Sequence, residues 1–175
     1  MAGMFGCLTP SAITSRPAEF DDPIDWDNGT GTLRIITSNA TRGVDATTNA
    51  DWTLLTDCRT TATVQVGLAA PAADQIALPI RLVEYRFDAD TNQLLFRAGG
   101  SGSFTTLMSG VQSMNISFGL AAAAGDSYVS GTYENAVPDP QLIRSVRLEL
   151  VLEDANGLAT DQTYAVAVAL RNRSI

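Results

Sequence analysis

Ile80-Arg81-Leu82-Val83-Glu84-Tyr85-Arg86-Phe87, followed by Asp88-Ala89-Asp90-Thr91-Asn92 and then Gln93-Leu94-Leu95-Phe96-Arg97, is the stretch that decides the fold class. Branched aliphatic and aromatic residues fill both arms, and the Asp and Asn residues between them offer the local side-chain-to-backbone bonds of a turn. The pattern predicts an antiparallel hairpin. Toward the C-terminus the same period-two logic repeats. Phe104 to Leu120 sets Met114, Ile116, Phe118 and Leu120 against Asn115, Ser117 and Gly119. Ser145 to Glu153 sets Val146, Leu148, Leu150 and Leu152 against Arg147, Glu149, Val151 and Glu153, the mark of a strand wet on one side. Asn156-Gly157 is a favoured hairpin dipeptide. Tyr164 to Arg173 reads as a closing strand, with Tyr164, Val166, Val168 and Leu170 facing inward and Ala165, Ala167 and Ala169 forming a small-residue face.

The N-terminal half is less regular. Leu33 to Thr37 is its first strand, Trp52 to Thr56 a short extended piece, and Thr61 to Val66 an alternating strand. Pro10, Pro17 and Pro23 interrupt pairing before that, so Thr9 to Gly31 is expected to be a long surface loop pinned by Phe20, Ile24 and Trp26. Met1 to Leu8 reads as a last helical turn and its exit, with Gly3 and Gly6 supplying the backbone freedom of a helix ending. The expected organisation is one domain over 1–175: a helix end at 1–8, a loop-rich region at 9–79 and an antiparallel β core at 80–175.

The chain has 175 residues, of which 45% are hydrophobic and only 7% aromatic, enough for one sizeable core built from small and branched side chains. Its net charge of −8 argues against nucleic acid or an anionic membrane surface as a direct partner. All 11 cationic residues are Arg, which fits the codon bias of a GC-rich genome. There is no His, so the usual general base and the commonest metal ligand are missing. A serine nucleophile has no His or Lys to activate it, and the chain reads as a non-enzyme. Asp88-x-Asp90-x-Asn92 imitates the opening of a calcium loop, yet Gln93 stands where that loop needs Gly and Gly99 where it needs Glu. Asp21, Asp22, Asp25, Asp27 and Asn28 place five oxygen-bearing side chains within eight residues, which could converge on a hard cation if the loop folded back, although acidic loops in an acidic protein are usually solvated. Gly99 to Ser103 lacks the Lys of a phosphate loop. No cofactor or metal site is expected. Cys7 and Cys58 admit one intramolecular pairing or two separate thiols.

Three segments resemble the PilW-like minor type IV pilins. Met1-Ala2-Gly3-Met4-Phe5-Gly6-Cys7 looks like that family's R-M-A-G-aromatic-x-G-C helix ending, and Tyr85 to Arg97 like its Y-x-x-turn-x-L-x-R hairpin. Val146 to Leu152 and Ala165 to Arg173 follow in the family's order and close on A-L-R-N-R. The resemblance implies an α+β pilin fold whose long N-terminal helix, preceding Met1, would anchor in the inner membrane and pack on the sheet over Ala165, Ala167 and Ala169. It implies a precursor cleaved by a prepilin peptidase, and a subunit that primes pilus assembly and sits at the filament tip. Its partners would be other minor pilins, the major pilin and a large tip adhesin. A periplasmic domain of this kind would hold a Cys7–Cys58 bridge, closing about 50 residues and contributing roughly 4 kcal/mol on the chain-entropy account. The J pseudopilin of type II secretion shares the hairpin, and a free-standing β-sandwich binding module is the alternative from another class.

Overall fold

The computed structural model describes residues 13, 17–20, 24–38, 50–123, 125–136, 139, 142–154 and 160–170. The expected helix ending at Met1 to Leu8 lies outside them. Its strands, in chain order, are β1 (Ile24–Asp27), β2 (Thr32–Ser38), β3 (Trp52–Thr56), β4 (Ala62–Val66), β5 (Ile76–Asp88), β6 (Gln93–Ala98), β7 (Thr105–Ser109), β8 (Val111–Leu120), β9 (Ile143–Leu152) and β10 (Gln162–Ala169). All strand pairs are antiparallel, and the fold is mostly β.

The hairpin that the sequence predicts is β5–β6, and β5 is longer than its pattern suggests. One edge of β5 takes β2, from Thr32↔Arg86 to Ser38↔Ile80. The opposite edge serves two strands in turn: β3 from Thr56↔Ile76 to Trp52↔Ile80, then β6 from Val83↔Ala98 to Asp88↔Gln93. Between them the edge forks. The fork would strand the backbone of Leu82, a residue only 7% exposed, and buried peptide groups must find partners. Two loop residues supply them. The Asp51 carboxylate accepts the Leu82 N–H at 2.8 Å, and the Gly99 N–H donates to the Leu82 carbonyl at 2.9 Å. β1 extends this sheet beyond β2, β4 beyond β3, and β7 beyond β6.

The run Phe104 to Leu120, read as a single strand system, is two strands in two different sheets. Gly110 divides them with φ of 75°, a left-handed conformation that favours glycine, and an added Cβ would lie 3.3 Å from the Glu153 carbonyl. The alternation belongs to β8 alone; Thr105–Ser109 is exposed throughout, and a single glycine between two extended runs gives no sign in the pattern of a change of sheet. Beyond it β8 pairs with β9 and β9 with β10, making a three-stranded sheet.

Both faces of the large sheet are buried near its centre. On one face Ile36, Leu54, Ile80 and Leu82 join Phe20, whose ring meets Trp52 edge-on at 5.3 Å. A 3-10 turn at Ala18–Phe20 delivers that Phe ring. On the other face Ile24 and Leu33 meet Ile116, Phe118 and Ile143 of the small sheet, so the two sheets pack against each other there. The alternation Leu33, Ile35 against Arg34, Ile36 along β2 is what feeds two cores from one strand. Arg144, 5% exposed, donates Nε to the Asp126 carbonyl at 2.5 Å and pins the loop that follows β8.

Among the described residues the stretch 9–79, expected to be loop-rich, holds β1 to β4 and the start of β5; β2, β3 and β4 fall on the expected Leu33 to Thr37, Trp52 to Thr56 and Thr61 to Val66, and β1 is the addition. Ile24 and Trp26, taken as pins of a surface loop, belong to β1, and the Asp27 carboxylate caps the turn into β2 through the Gly29 N–H at 2.8 Å and the Thr30 hydroxyl at 2.7 Å. Ile24 shows the physical reason: its burial with Ile116 and Phe118 of the small sheet overrides a local sequence interrupted by prolines.

Removing the carboxylate at the fork tests its weight. Asp51→Ala should destabilise the domain by about 1–3 kcal/mol, because the Leu82 N–H is left buried without an acceptor. Asp51→Asn, which retains a side-chain carbonyl, should cost less in the same urea denaturation series.

Candidate assembly surface

Among the described residues β10 pairs only with β9, and all eight of its residues are exposed. Its register places Tyr164 opposite Leu150, Val166 opposite Leu148 and Val168 opposite Val146. β8 continues that face with Met114, Ile116 and Phe118. Ile116 and Phe118 are fully covered by the large sheet, β9 is half-covered along this face, and at β10 the cover has ended. Tyr164, Val166 and Val168 are 58%, 53% and 54% exposed. The inward reading of these three side chains is therefore corrected: they lie on the core-facing side of their sheet, beyond the reach of the core.

Ala165, Ala167 and Ala169 occupy the other face, opposite Glu149, Arg147 and Ser145. That face is polar. Arg147 Nη2 meets Glu149 Oε2 at 3.1 Å, and near β8 the face is closed by a loop, where Ser145 Oγ donates to Tyr133 Oη at 2.8 Å. A Cβ on Gly119 would come within 2.8 Å of Val129 Cγ2, so this loop sits directly on the strand. The alanines mark an exposed face, but the larger apolar surface is on the reverse side. Leu148 and Leu150 belong to it, and only the cross-strand register reveals that they join Tyr164 and Val166 there.

Cys58 sits in a tightly built loop between β3 and β4. The Asp57 carboxylate accepts the N–H groups of Arg59, Thr60 and Thr61 at 2.9, 2.8 and 2.9 Å, and the Thr60 hydroxyl at 2.6 Å. Thr56 Oγ1 accepts the Cys58 N–H at 2.9 Å, and Cys58 itself has φ of 59°. Four donors on one carboxylate stabilise its charged form, and they hold the Asp57 carboxyl well below the usual carboxylate range, the Thr60 hydroxyl contributing most. Cys7, the expected bridge partner, lies outside the described residues. No free cysteine stands among the described ones.

A second polar group sits on the large sheet. Glu84, 5% exposed, accepts Arg97 Nε at 2.6 Å with Arg34 Nε at 3.8 Å, and Arg34 also faces Asp25 at 3.8 Å. The hydrogen bond to Glu84 raises the Arg97 pKa above its ordinary value. Phe104 lies 4.3 Å from the Arg86 guanidinium and 4.4 Å from that of Arg97, tying the loop after β6 back to the sheet. An open cavity of about 100 Å³ beside Glu19, Asp25 and Arg34 is large enough for a few waters. These charges compensate one another and hold sheet and loop together.

The calcium-like run forms the β5–β6 turn, with the Asp90 N–H on Asp88 Oδ1 at 3.1 Å and Asn92 at φ of 53°. Asp25 and Asp27 are separated by the ion pair and the turn just described, while Asp21 and Asp22 lie outside the described residues. No cluster of His, Cys, Asp and Glu suited to a metal occurs among the described residues. No helix of the described chain is long and apolar enough to cross a membrane. Comparison of the chain with protein families, curated proteins and solved structures finds no match.

Two measurements probe the Cys58 loop. Thiol titration of denatured, unreduced protein should find no free thiol; two per chain would show that Cys7 and Cys58 are not bridged. The folded-state pKa of Asp57 is depressed, so its stabilising contribution is complete above the unfolded carboxylate pKa of about 3.9 and declines as pH falls below it. The stability advantage of wild type over Asp57→Asn should therefore hold from about pH 7 to about pH 5 and shrink progressively as pH is lowered from about 4 toward about 2 in denaturant titrations.

Proposed function

We propose that this chain is the globular head of a structural assembly subunit of the minor-pilin kind, one that helps prime a type IV pilus and sits at its tip. The observation that carries the reading is the apolar face that runs from half-covered Leu148 and Leu150 past the edge of the core to Tyr164, Val166 and Val168, which stand exposed. Large exposed apolar patches of this sort mark missing partners. In the α+β arrangement that the family resemblance implies, an N-terminal helix packs there, anchors the subunit in the inner membrane and faces the periplasm before assembly. The resemblance alone would have set that helix over Ala165, Ala167 and Ala169. The register now favours the Tyr164 side, because an apolar helix gains little against a face carrying Arg147 and Glu149.

Within this reading the Cys58 loop is preshaped to receive Cys7, fastening the helix exit to the sheet. The partners are other minor pilins, the major pilin and a large tip adhesin; nucleic acid is not a direct partner of so acidic a domain, and no cofactor is called for. The tip pseudopilin of type II secretion fits the same surface. A ligand-binding β-sandwich is the reading from a different class, and the packing of two antiparallel sheets through Ile24, Leu33, Ile116 and Phe118 favours it.

Paired substitutions in the membrane-anchored protein separate these readings. Val166→Arg should abolish pilus assembly and Ala167→Arg should leave it largely intact, with the isolated domain's stability shifting by no more than about 0.5 kcal/mol in either case. Unchanged piliation in both variants would remove the support for helix docking and leave the sandwich module as the better account.

A further inference from the structure

The edge of β10, as distinct from its face, carries a separate interaction. Other sheet edges are defended. β1 presents Asp25 and Asp27, β4 and β7 are five residues long, and the pairing of β7 with β6 is broken by a register shift at Leu94/Leu95. β8 is covered at Phe118 by paired backbone hydrogen bonds with Glu134 of the following loop. Among the described residues β10 has none of these devices. Gln162-Thr163-Tyr164-Ala165-Val166-Ala167-Val168-Ala169 has no charge, no proline and no glycine, and pairs with β9 over eight positions without a shift. Such an edge is a template for strand addition.

We infer that β10 pairs edge to edge with β10 of a second copy of this chain, antiparallel and about a two-fold axis through Val166. The sequence of the strand selects this occupant. In that register Val166 faces Val166 of the second copy, Tyr164 faces its Val168, and Ala165 faces its Ala167. Each pair matches in character: branched against branched, aromatic against branched, and small against small, the combinations that stabilise neighbouring strands. Moving the axis to Ala165 sets Gln162 against Val168 and loses the match, and moving it to Ala167 keeps like against like but shortens the paired stretch of the strand. The result is a continuous six-stranded sheet across the two copies. The pairing uses main-chain groups on the free edge and does not depend on what covers the apolar face. One strand edge buries less than the roughly 1,200 Å² of a stable interface, so the dimer is a weak one. Each copy carries a net charge of −8, and added salt should strengthen association by screening that repulsion.

Sedimentation of the chain from about 10 μM to 1 mM, a range matched to weak association, reads the pairing directly. The expected result is a monomer–dimer equilibrium that moves toward dimer with salt, and monomer throughout for Val166→Lys, which places two like charges on the axis. Cysteine cross-linking fixes the geometry. Val166→Cys should form a covalent dimer under oxidation. Ala165→Cys mixed with Ala167→Cys should cross-link much faster than either alone. A monomer at all concentrations and salts overturns the inference. So does Ala165→Cys cross-linking to itself as readily as to Ala167→Cys, which would mean contact through another register or through the face.

Discussion

Everything in the large sheet depends on the backbone of one residue, Leu82. There β5 passes from one neighbour to another on the same edge, and a peptide unit that no strand can pair is satisfied from outside by Asp51 and Gly99. Without those bonds a branched sheet would carry a buried polar defect at its centre, on the strand that joins both cores. The fork also explains why β3 and β6, remote in sequence, lie end to end. Pro79 fits the same geometry. It pairs with Thr53 just past the Ser38↔Ile80 end of β2, where β5 keeps a strand on only one side.

The small sheet is a different physical object. Its inner strand is held by the second core, its central strand is half-covered, and its outer strand stands in solvent on both faces. This graded cover turns one apolar face into a core at Phe118 and a surface at Val166. The Arg147–Glu149 pair on the reverse side tells which face is meant for water.

The antiparallel, mostly β class was legible in the hairpin and the later alternating runs, since period-two burial leaves a direct trace in composition. The division of Phe104 to Leu120 was not legible. Gly110 redirects the chain, and a lone glycine between two extended runs does not announce a change of sheet. Nor was β1, because Ile24 gains its burial from strands far along the chain, whereas β2 to β4 were legible as short extended runs. The small-residue face of Ala165, Ala167 and Ala169 was visible as a pattern, yet which face lies open depends on where the large sheet ends. Asp57 left a fainter trace: Asp followed by Thr60 and Thr61 is common loop chemistry, and only the geometry shows four donors converging.

The strand that carries the fork has a consequence for how the chain reaches this fold. β5 and β6 close across a short turn, whereas Ile35 must find Val83, and Thr53 must find Pro79, across long intervening segments. Closing long loops costs entropy before contacts repay it, so the local hairpin is favoured to form first and to wait with one apolar edge bare. During that interval Ile76 to Phe87 is the most adhesive segment of the chain. Pro79, Arg81, Glu84 and Arg86 are spaced along it as interruptions that a growing aggregate tolerates poorly. Two of these, Glu84 and Arg86, later serve the folded sheet, through the Arg97 ion pair and the Phe104 ring. The charges that hold the finished sheet together are then also the ones that shield it while it is still incomplete.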